Sequence, residues 1–306
     1  MAELLVLAPG PLTLIQDGGR PGYAAMGVSR SGAFDTGAYE LGGRLLDNPP
    51  GAAALEVLLG RLTVQATAAT WAVITGALVK ATVAGRPVGY GEPFYLLPGE
   101  QLALGMSTRG IRAYVSVAGG IDVPPVLGSR ARDTLSGLGP RPLAAGDVLP
   151  LGEAAPPTRA VVAPLTPPAE GTVTLEVMPG PRTDWLADPA LDGEWTVAPD
   201  SNRVGVRLTG QTWPRARTGE LPSEGVVRGA IQLPPDGRPV IFGPDHPTTG
   251  GYPVVGVLSD ASCDLLAQLR PGQRVRFRTV AKERTIAPER TAAVFADRGA
   301  GVKDLR

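Results

Sequence analysis

The sequence predicts a mainly β protein built from barrels or sandwiches, and three observations carry that prediction. Short runs of Val, Leu and Ile recur at intervals of roughly ten residues. Glycine and proline, 41 and 32 of 306 residues, fall between those runs as turns. Helical periodicity is confined to a few short segments.

The strand signals come in order. Leu4 to Leu7 and Leu12 to Ile15 flank the turn Ala8-Pro9-Gly10-Pro11. Leu55 to Leu59, Leu62 to Ala66, Trp71 to Thr75 and Leu78 to Val83 follow, separated by Gly60-Arg61 and Gly76-Ala77. Ile111 to Val117, Val173 to Val177 and Arg203 to Leu208 alternate apolar with polar or small residues, as does Val275 to Val280. Leu97-Pro98-Gly99-Glu100 and Arg270-Pro271-Gly272-Gln273 each place Pro-Gly before a strand, and Ala144-Ala145-Gly146-Asp147 is a looser copy. Glycine third in such a turn accepts positive φ. Two helices are expected. Asp35 caps one that runs through Leu46, weakened by Gly37, Gly42 and Gly43. Asp260 or Ser262 caps the other, which carries Leu265, Leu266 and Leu269 inward and stops at Pro271-Gly272.

Length favours two domains. The expected division is residues 1–155, a Pro-rich linker at 156–170, a second domain at 171–285 and a tail at 286–306, with a late helix from Pro288 to Arg298 as one reading of the tail. Charge balances at 29 basic and 29 acidic residues, which points away from nucleic acid. No run of about 18 apolar residues suggests a membrane span, and Met1 to Pro9 lacks the features of a signal peptide. One cysteine, Cys263, reads as a core thiol and fits a cytoplasmic compartment.

Several chemistries are excluded. There is no P-loop and no Gly-x-Ser-x-Gly elbow. One histidine and one cysteine cannot build a His/Cys metal site, so no metal ligands are assigned. A Ser-His-Asp triad would need His246, whose Pro/Gly turn argues against it.

Two segments combine backbone-shaping and polar residues. Gln16 to Tyr23, running on to Ser29-Arg30-Ser31-Gly32-Ala33-Phe34-Asp35, mixes glycines with arginines, serines and aspartates. It reads either as a cradle for an anion, through guanidinium forks and backbone N–H groups, or as a turn whose arginines pair with its own aspartates. Gly243 to Pro253 sets Asp245, His246, Thr248, Thr249 and Tyr252 around Gly250-Gly251. A third cluster, Asp200 to Arg203 with Ser223-Glu224-Gly225, reads as caps and turns or as a site.

These segments carry a resemblance. Asp17-Gly18-Gly19-Arg20-Pro21-Gly22-Tyr23, Arg30-Ser31-Gly32-Ala33-Phe34-Asp35, Ala53-Ala54-Leu55-Glu56, Val117-Ala118-Gly119-Gly120-Ile121-Asp122, Pro124 to Ser129, Asp200-Ser201-Asn202-Arg203, Ser223-Glu224-Gly225 and Thr248-Thr249-Gly250-Gly251-Tyr252-Pro253 occur in this order. Together they resemble the allophanate hydrolase subunit 2 family, which includes the C subunit of 5-oxoprolinase, an antagonist of a sporulation-kinase inhibitor and a part of urea carboxylase. The match covers about residues 4–280. Ser29 stands where proline is usual, and Asp245-His246-Pro247 is a segment that varies in that family.

The resemblance implies two cyclophilin-like β-barrel domains with a few short helices. It implies one component of a hydrolase complex that opens 5-oxo-L-proline to L-glutamate with ATP cleavage, with Mg2+ accompanying the ATP and no tightly bound cofactor on this chain. The implied partners are proteins like the B and A subunits of 5-oxoprolinase, the isolated chain being inactive and free to self-associate. The alternatives are a carboxyltransferase component of a biotin-dependent urea system and a non-catalytic regulator that binds a kinase-inhibitor-like partner. On this picture Arg20 and Arg30 contact an anion, Ser31 and the amides of Gly18 and Gly19 donate hydrogen bonds, and Asp35 orients them. Glu56 is an acid/base or an ion-pair partner. Thr248, Thr249, Gly250, Gly251 and Tyr252 line the opposite wall, with Arg203 and Glu224 as further substrate contacts.

Overall fold

The computed structural model describes residues 2–154, 165–191, 193–219 and 221–280. Over these residues the chain is mainly β, as predicted. The first nine strands are β1 (Glu3–Ala8), β2 (Leu12–Gln16), β3 (Ala54–Leu58), β4 (Thr63–Ala66), β5 (Thr70–Val83), β6 (Arg86–Val88), β7 (Phe94–Leu96), β8 (Gln101–Val117) and β9 (Val148–Pro150). They form one curled sheet in the order β2-β3-β8-β4-β1-β9, and β5 pairs with β8 while adding β6 and β7. Helix α1 (Thr36–Leu45) lies between β2 and β3 in the chain.

Nine strands follow: β10 (Val173–Pro179), β11 (Glu194–Val197), β12 (Gly205–Thr209), β13 (Glu224–Gly225), β14 (Ala230–Gln232), β15 (Val240–Phe242), β16 (Thr249–Gly250), β17 (Val254–Leu258) and β18 (Arg274–Thr279). Seven of them close into a barrel, β10-β17-β14-β15-β12-β11-β18, and β13 pairs with β16 apart from it. Helix α2 (Asp260–Ala267) connects β17 to β18.

The local chemistry explains these elements. Strand β18 buries Val275 and Phe277 in the barrel and turns Arg276 and Arg278 outward, where they meet Glu194 at 2.8 Å and Glu176 at 2.5 Å. All three expected turns form: Glu100 N donates to Leu97 O, Asp147 N to Ala144 O and Gln273 N to Arg270 O, with Gly99, Gly146 and Gly272 at positive φ. Asp35 caps α1 through Ala38 N at 2.9 Å. Two expectations are corrected. Gly76-Ala77 does not divide two strands, because β5 runs through it and absorbs the irregularity as register shifts against β8. Helix α2 is capped by Ser259, whose Oγ accepts from Ser262 N, and Leu265 faces outward while Leu266, Leu269 and Cys263 are buried. Residues 156–164 of the expected linker, the tail at 286–306 and the helix from Pro288 to Arg298 lie outside the described residues.

Each sheet has its own apolar core, one around Leu4, Leu55, Val64 and Val115, the other around Leu175, Trp195, Ile231 and Val255. Phe34 is the exception to this division. It precedes α1, yet its fully buried ring joins the barrel core and lies 4.4 Å under the Arg112 guanidinium of β8. Between the cores the contact is polar. Arg203, ahead of β12, donates from Nη1 to Glu56 of β3 at 2.6 Å, from Nε and Nη2 to Asp245 at 2.8 and 3.0 Å, and from Nη2 to Gly32 O at 2.6 Å. Asp245 also accepts from Ser31 Oγ at 2.6 Å and from the backbone and hydroxyl of Thr134. Gln268 of the barrel half accepts from Ile111 N and Arg112 N and donates to Asp35 Oδ2 at 2.6 Å.

Removing one partner of a buried ionic cluster leaves the others desolvated and unpaired, which costs about 3–5 kcal/mol. Arg203→Ala should therefore lower the free energy of unfolding by about that amount in urea titrations. The exposed pair Arg44–Glu40 is the control, where Arg44→Ala should cost less than about 0.5 kcal/mol.

Candidate active-site cleft

The loop between β2 and α1 is folded by its own polar atoms. Asp17 accepts from Gly19 N at 2.8 Å, Ser129 Oγ at 2.6 Å and Arg130 N at 2.6 Å. Arg20 N donates to Arg30 O and Ala33 N to Asp17 O, so the two ends of the loop lie side by side. The approach is close enough to require glycine: a Cβ on Gly19, at φ +81, would sit 2.5 Å from Arg30 O. Ser31, with φ 53, is a non-glycine residue held in the left-handed region.

The folded loop forms one side of a cleft of about 770 Å³. The first turn of α1, residues Val226 to Arg228, His246, Thr248 and the start of α2 complete the lining. Arg20 is fully buried; Nη2 donates to Ala131 O and Nε to Val126 O at 3.5 Å. Its Nη1 is buried without a hydrogen-bond partner. A buried guanidinium nitrogen left unpaired is costly unless an anion or water completes it. Arg30 is exposed at the mouth and donates from Nε to Gly18 O at 3.3 Å. Arg228 donates to Phe34 O and Asp264 at 2.9 Å and also keeps a buried, unpartnered Nε.

The structure brings Gly18, Arg20, Arg30, Ser31 and Thr248 to this one cleft, and Gly19 shapes the loop behind it. It places the other candidates elsewhere. Asp35 does not orient the arginines; it caps α1, accepts from Gln268 and lines a separate cavity with Tyr90 and Thr75. Glu56 and Arg203 face each other in the seam, so Glu56 is an ion-pair partner. Burial pushes the Glu56 carboxyl up, but Arg203 and Arg112 outweigh burial and hold it below its usual value. Asp245 follows the same logic: burial opposes and Arg203 prevails. Glu224 pairs with Arg182 on β13. Thr249 and Gly250 form β16, and Gly250 pairs with Glu224. Gly251 and Tyr252 are exposed beyond it, Tyr252 by 48%.

Sequence reasoning missed Arg228 and His246 as cleft residues. Arg228 stands in no marked motif, and only the approach of α1 and α2 brings it to the cleft. His246 was visible inside a marked segment, as the single histidine, but a turn context hid its burial. Among the described residues no Ser-His-Asp relay forms: the Ser31 hydroxyl bonds Asp245 directly, and His246 Nδ1 lies against the Pro247 carbonyl.

Burial pushes Asp35 from 3.8 up to about 6. The folded state therefore binds this proton more tightly than the unfolded state. The contribution to stability is full below about pH 3.8 and is lost as pH rises through about 6. Unfolding free energies of wild type and Asp35→Asn, measured from pH 4 to pH 7, should differ by an amount that changes by up to about 3 kcal/mol across that window. A difference independent of pH would contradict the buried ionisable carboxyl.

A family model for the carboxyltransferase domain, subdomain A and B, matches residues 26–279. The chain is 35% identical to the C subunit of 5-oxoprolinase from Escherichia coli over 287 residues, covering 90% of each chain. It is 31% identical to urea amidolyase of Lachancea kluyveri over 303 residues, which is 89% of this chain and 16% of that one. Among solved structures, TTHA0988 superposes with a TM-score of 0.84 at 35% identity, over 91% of this chain and 56% of the other. The chain thus spans about half of TTHA0988 and a small part of urea amidolyase. With the motifs in order, the matching fold and a family model spanning most of its length, the chain belongs to the carboxyltransferase-domain family, subdomain A and B, which includes the C subunit of 5-oxoprolinase.

Proposed function

We propose that this chain is the C subunit of an ATP-dependent 5-oxoprolinase complex, which hydrolyses 5-oxo-L-proline to L-glutamate. The observation that carries this reading is the 35% identity to the Escherichia coli protein over nine-tenths of both chains. The chemistry of the cleft supports it. A five-membered lactam is a poor electrophile. Transfer of a phosphoryl group from ATP to the amide oxygen makes the ring carbon open to water and turns that oxygen into a leaving group, which departs as inorganic phosphate. Such a reaction needs fixed cations around a carboxylate and a phosphoryl group. On this reading the Arg20 and Arg30 guanidiniums, which line the cleft, supply them, with Thr248 also in the lining.

ATP is used by the assembled complex. Mg2+ would accompany the ATP phosphates. Proteins like the B and A subunits of 5-oxoprolinase complete the enzyme, in the cytoplasm. Among the described residues no helix is long and apolar enough to cross a membrane. The similarity to urea amidolyase keeps carboxyl transfer to urea, with biotin on a separate carrier, as the second reading.

Co-purification with the two partner proteins, followed by assay with ATP and 5-oxoproline and in parallel with urea, bicarbonate and a biotinylated carrier, separates the two. ATP-dependent glutamate release is expected, and urea carboxylation without it would replace this reading. Within the active complex, Arg30→Ala should raise KM for 5-oxoproline about tenfold, the loss of one charge-assisted contact of about 1.4 kcal/mol. Because Arg30 is exposed, the melting temperature should hold. An unchanged KM would remove Arg30 from substrate binding.

A further inference from the structure

The single histidine of the chain lies in the wall of the cleft, 8% exposed, with its ring stacked on Phe242 at 5.8 Å and 24°. Its Nδ1 is 2.7 Å from Pro247 O. A carbonyl oxygen only accepts, so Nδ1 carries the hydrogen and Nε2 presents a lone pair. Among the described residues no group hydrogen-bonds Nε2. The neighbouring Asp245 is locked by Arg203, Ser31 and Thr134, which fixes the backbone that carries the ring.

We propose that His246 is a catalytic residue of this cleft, a general base whose Nε2 takes the proton of the attacking water. The proposal rests on the reading of the cleft as a lactam-opening site. The water oxygen bonds to the activated amide carbon as one of its O–H bonds breaks and the proton passes to Nε2. When the C–N bond breaks, that proton passes from Nε2 to the departing ring nitrogen, the new hydroxyl oxygen closes to C=O and releases its own proton to solvent, and the neutral imidazole is restored. The carbon then carries an acyl phosphate, and a second water adds to it and expels inorganic phosphate by C–O cleavage, which leaves the glutamate carboxylate. The assignment comes from this chain's own geometry.

The environment suits a base at neutral pH. Burial holds the imidazole below its usual value, opposed by the Pro247 carbonyl and by the charges of Asp245 and Asp133. Arg20, Arg30 and Arg228 line the same cleft. Glu40, Asp260 and Asp264 line it from α1 and α2, Asp264 being paired with Arg228. Asp17 also lines it, with its carboxylate occupied by Gly19 N, Ser129 and Arg130 N.

His246→Asn keeps an N–H in the place of Nδ1 for the Pro247 carbonyl and removes Nε2. In the assembled complex its kcat should fall about 100-fold or more with KM and melting temperature near wild type. The acid limb of the kcat/KM profile should also disappear. Wild-type turnover with an unchanged acid limb would overturn the assignment. On the isolated chain, diethyl pyrocarbonate should modify the single histidine at neutral pH, and inorganic phosphate should slow that reaction. A ring that resists the reagent would overturn the bare, accessible Nε2, whatever the complex does with 5-oxoproline. A reactive, phosphate-protected histidine in a complex that leaves 5-oxoproline intact would support the placement of His246 and refute the lactam reading.

Discussion

One guanidinium, with Gln268 and Arg228 beside it, stands at the centre of the contact between the two halves of this molecule. Arg203 belongs to the barrel half, and its partners Glu56 and Gly32 belong to the curled sheet and the loop that leaves it. Asp245, from the barrel, turns the same cation toward Ser31 and Thr134. A buried cluster of this kind adds little stability over an apolar seam of equal volume, because desolvating the charges offsets their attraction. Its value lies in geometry. Apolar surfaces can slide against each other, but a bidentate Arg–carboxylate pair fixes distance and angle. The cleft depends on that fix, since one wall comes from the β2–α1 loop and the other from residues 226–228, 246 and 248.

The charges in the seam sustain one another. Glu56 and Asp245 stay ionised despite burial because Arg203 lies between them, and those two carboxylates hold Arg203 protonated against the same burial. Tyr114 adds a neutral link, donating to Glu56 and accepting from Asp35 N, each at 2.8 Å. Among the described residues no cation pairs with Asp35, so burial, with the nearby charges of Asp264 and Glu56, raises its carboxyl while Arg203 lowers those of Glu56 and Asp245. The cleft behind the seam is lined by the guanidiniums of Arg20, Arg30 and Arg228 and by the carboxylates of Asp17, Glu40, Asp260 and Asp264. Arg20 is held there by the carbonyls of Ala131 and Val126, with its Nη1 buried and unpartnered among the described residues.

Much of the fold was legible because strands and turns are local. Alternation in Val275 to Val280 and the Pro-Gly turns are set by side-chain period and by φ, and both survive in the structure. Helix α2 shows the limit: Leu265 has the right residue type at helical spacing, but the face that packs is decided by the barrel, which takes Cys263 and Leu266. The site was legible as a set of segments and not as a set of roles. The Gly18 to Ser31 loop lines one side of a cleft. Glu56, Asp35 and Arg203 carry the same residue types as catalytic groups, and nothing in linear order separates an ion pair in a seam from a reactive pair in a cleft. Arg228 and His246 become cleft residues only through contacts between distant parts of the chain, Arg228 with Thr36 and His246 with the β2–α1 loop across the opening.

Native-state hydrogen exchange on the amides that cross the seam tests the central claim most directly. Thr134 N bonds Asp245, Thr36 N bonds Asp264, and Ile111 N and Arg112 N bond Gln268. If the buried cluster locks the halves together, these amides exchange only by global unfolding, with one opening free energy shared by strands of both sheets. Exchange of the seam amides through a low-energy opening, while each sheet keeps its own higher protection, would show that the halves move independently and that the cleft is not held by Arg203.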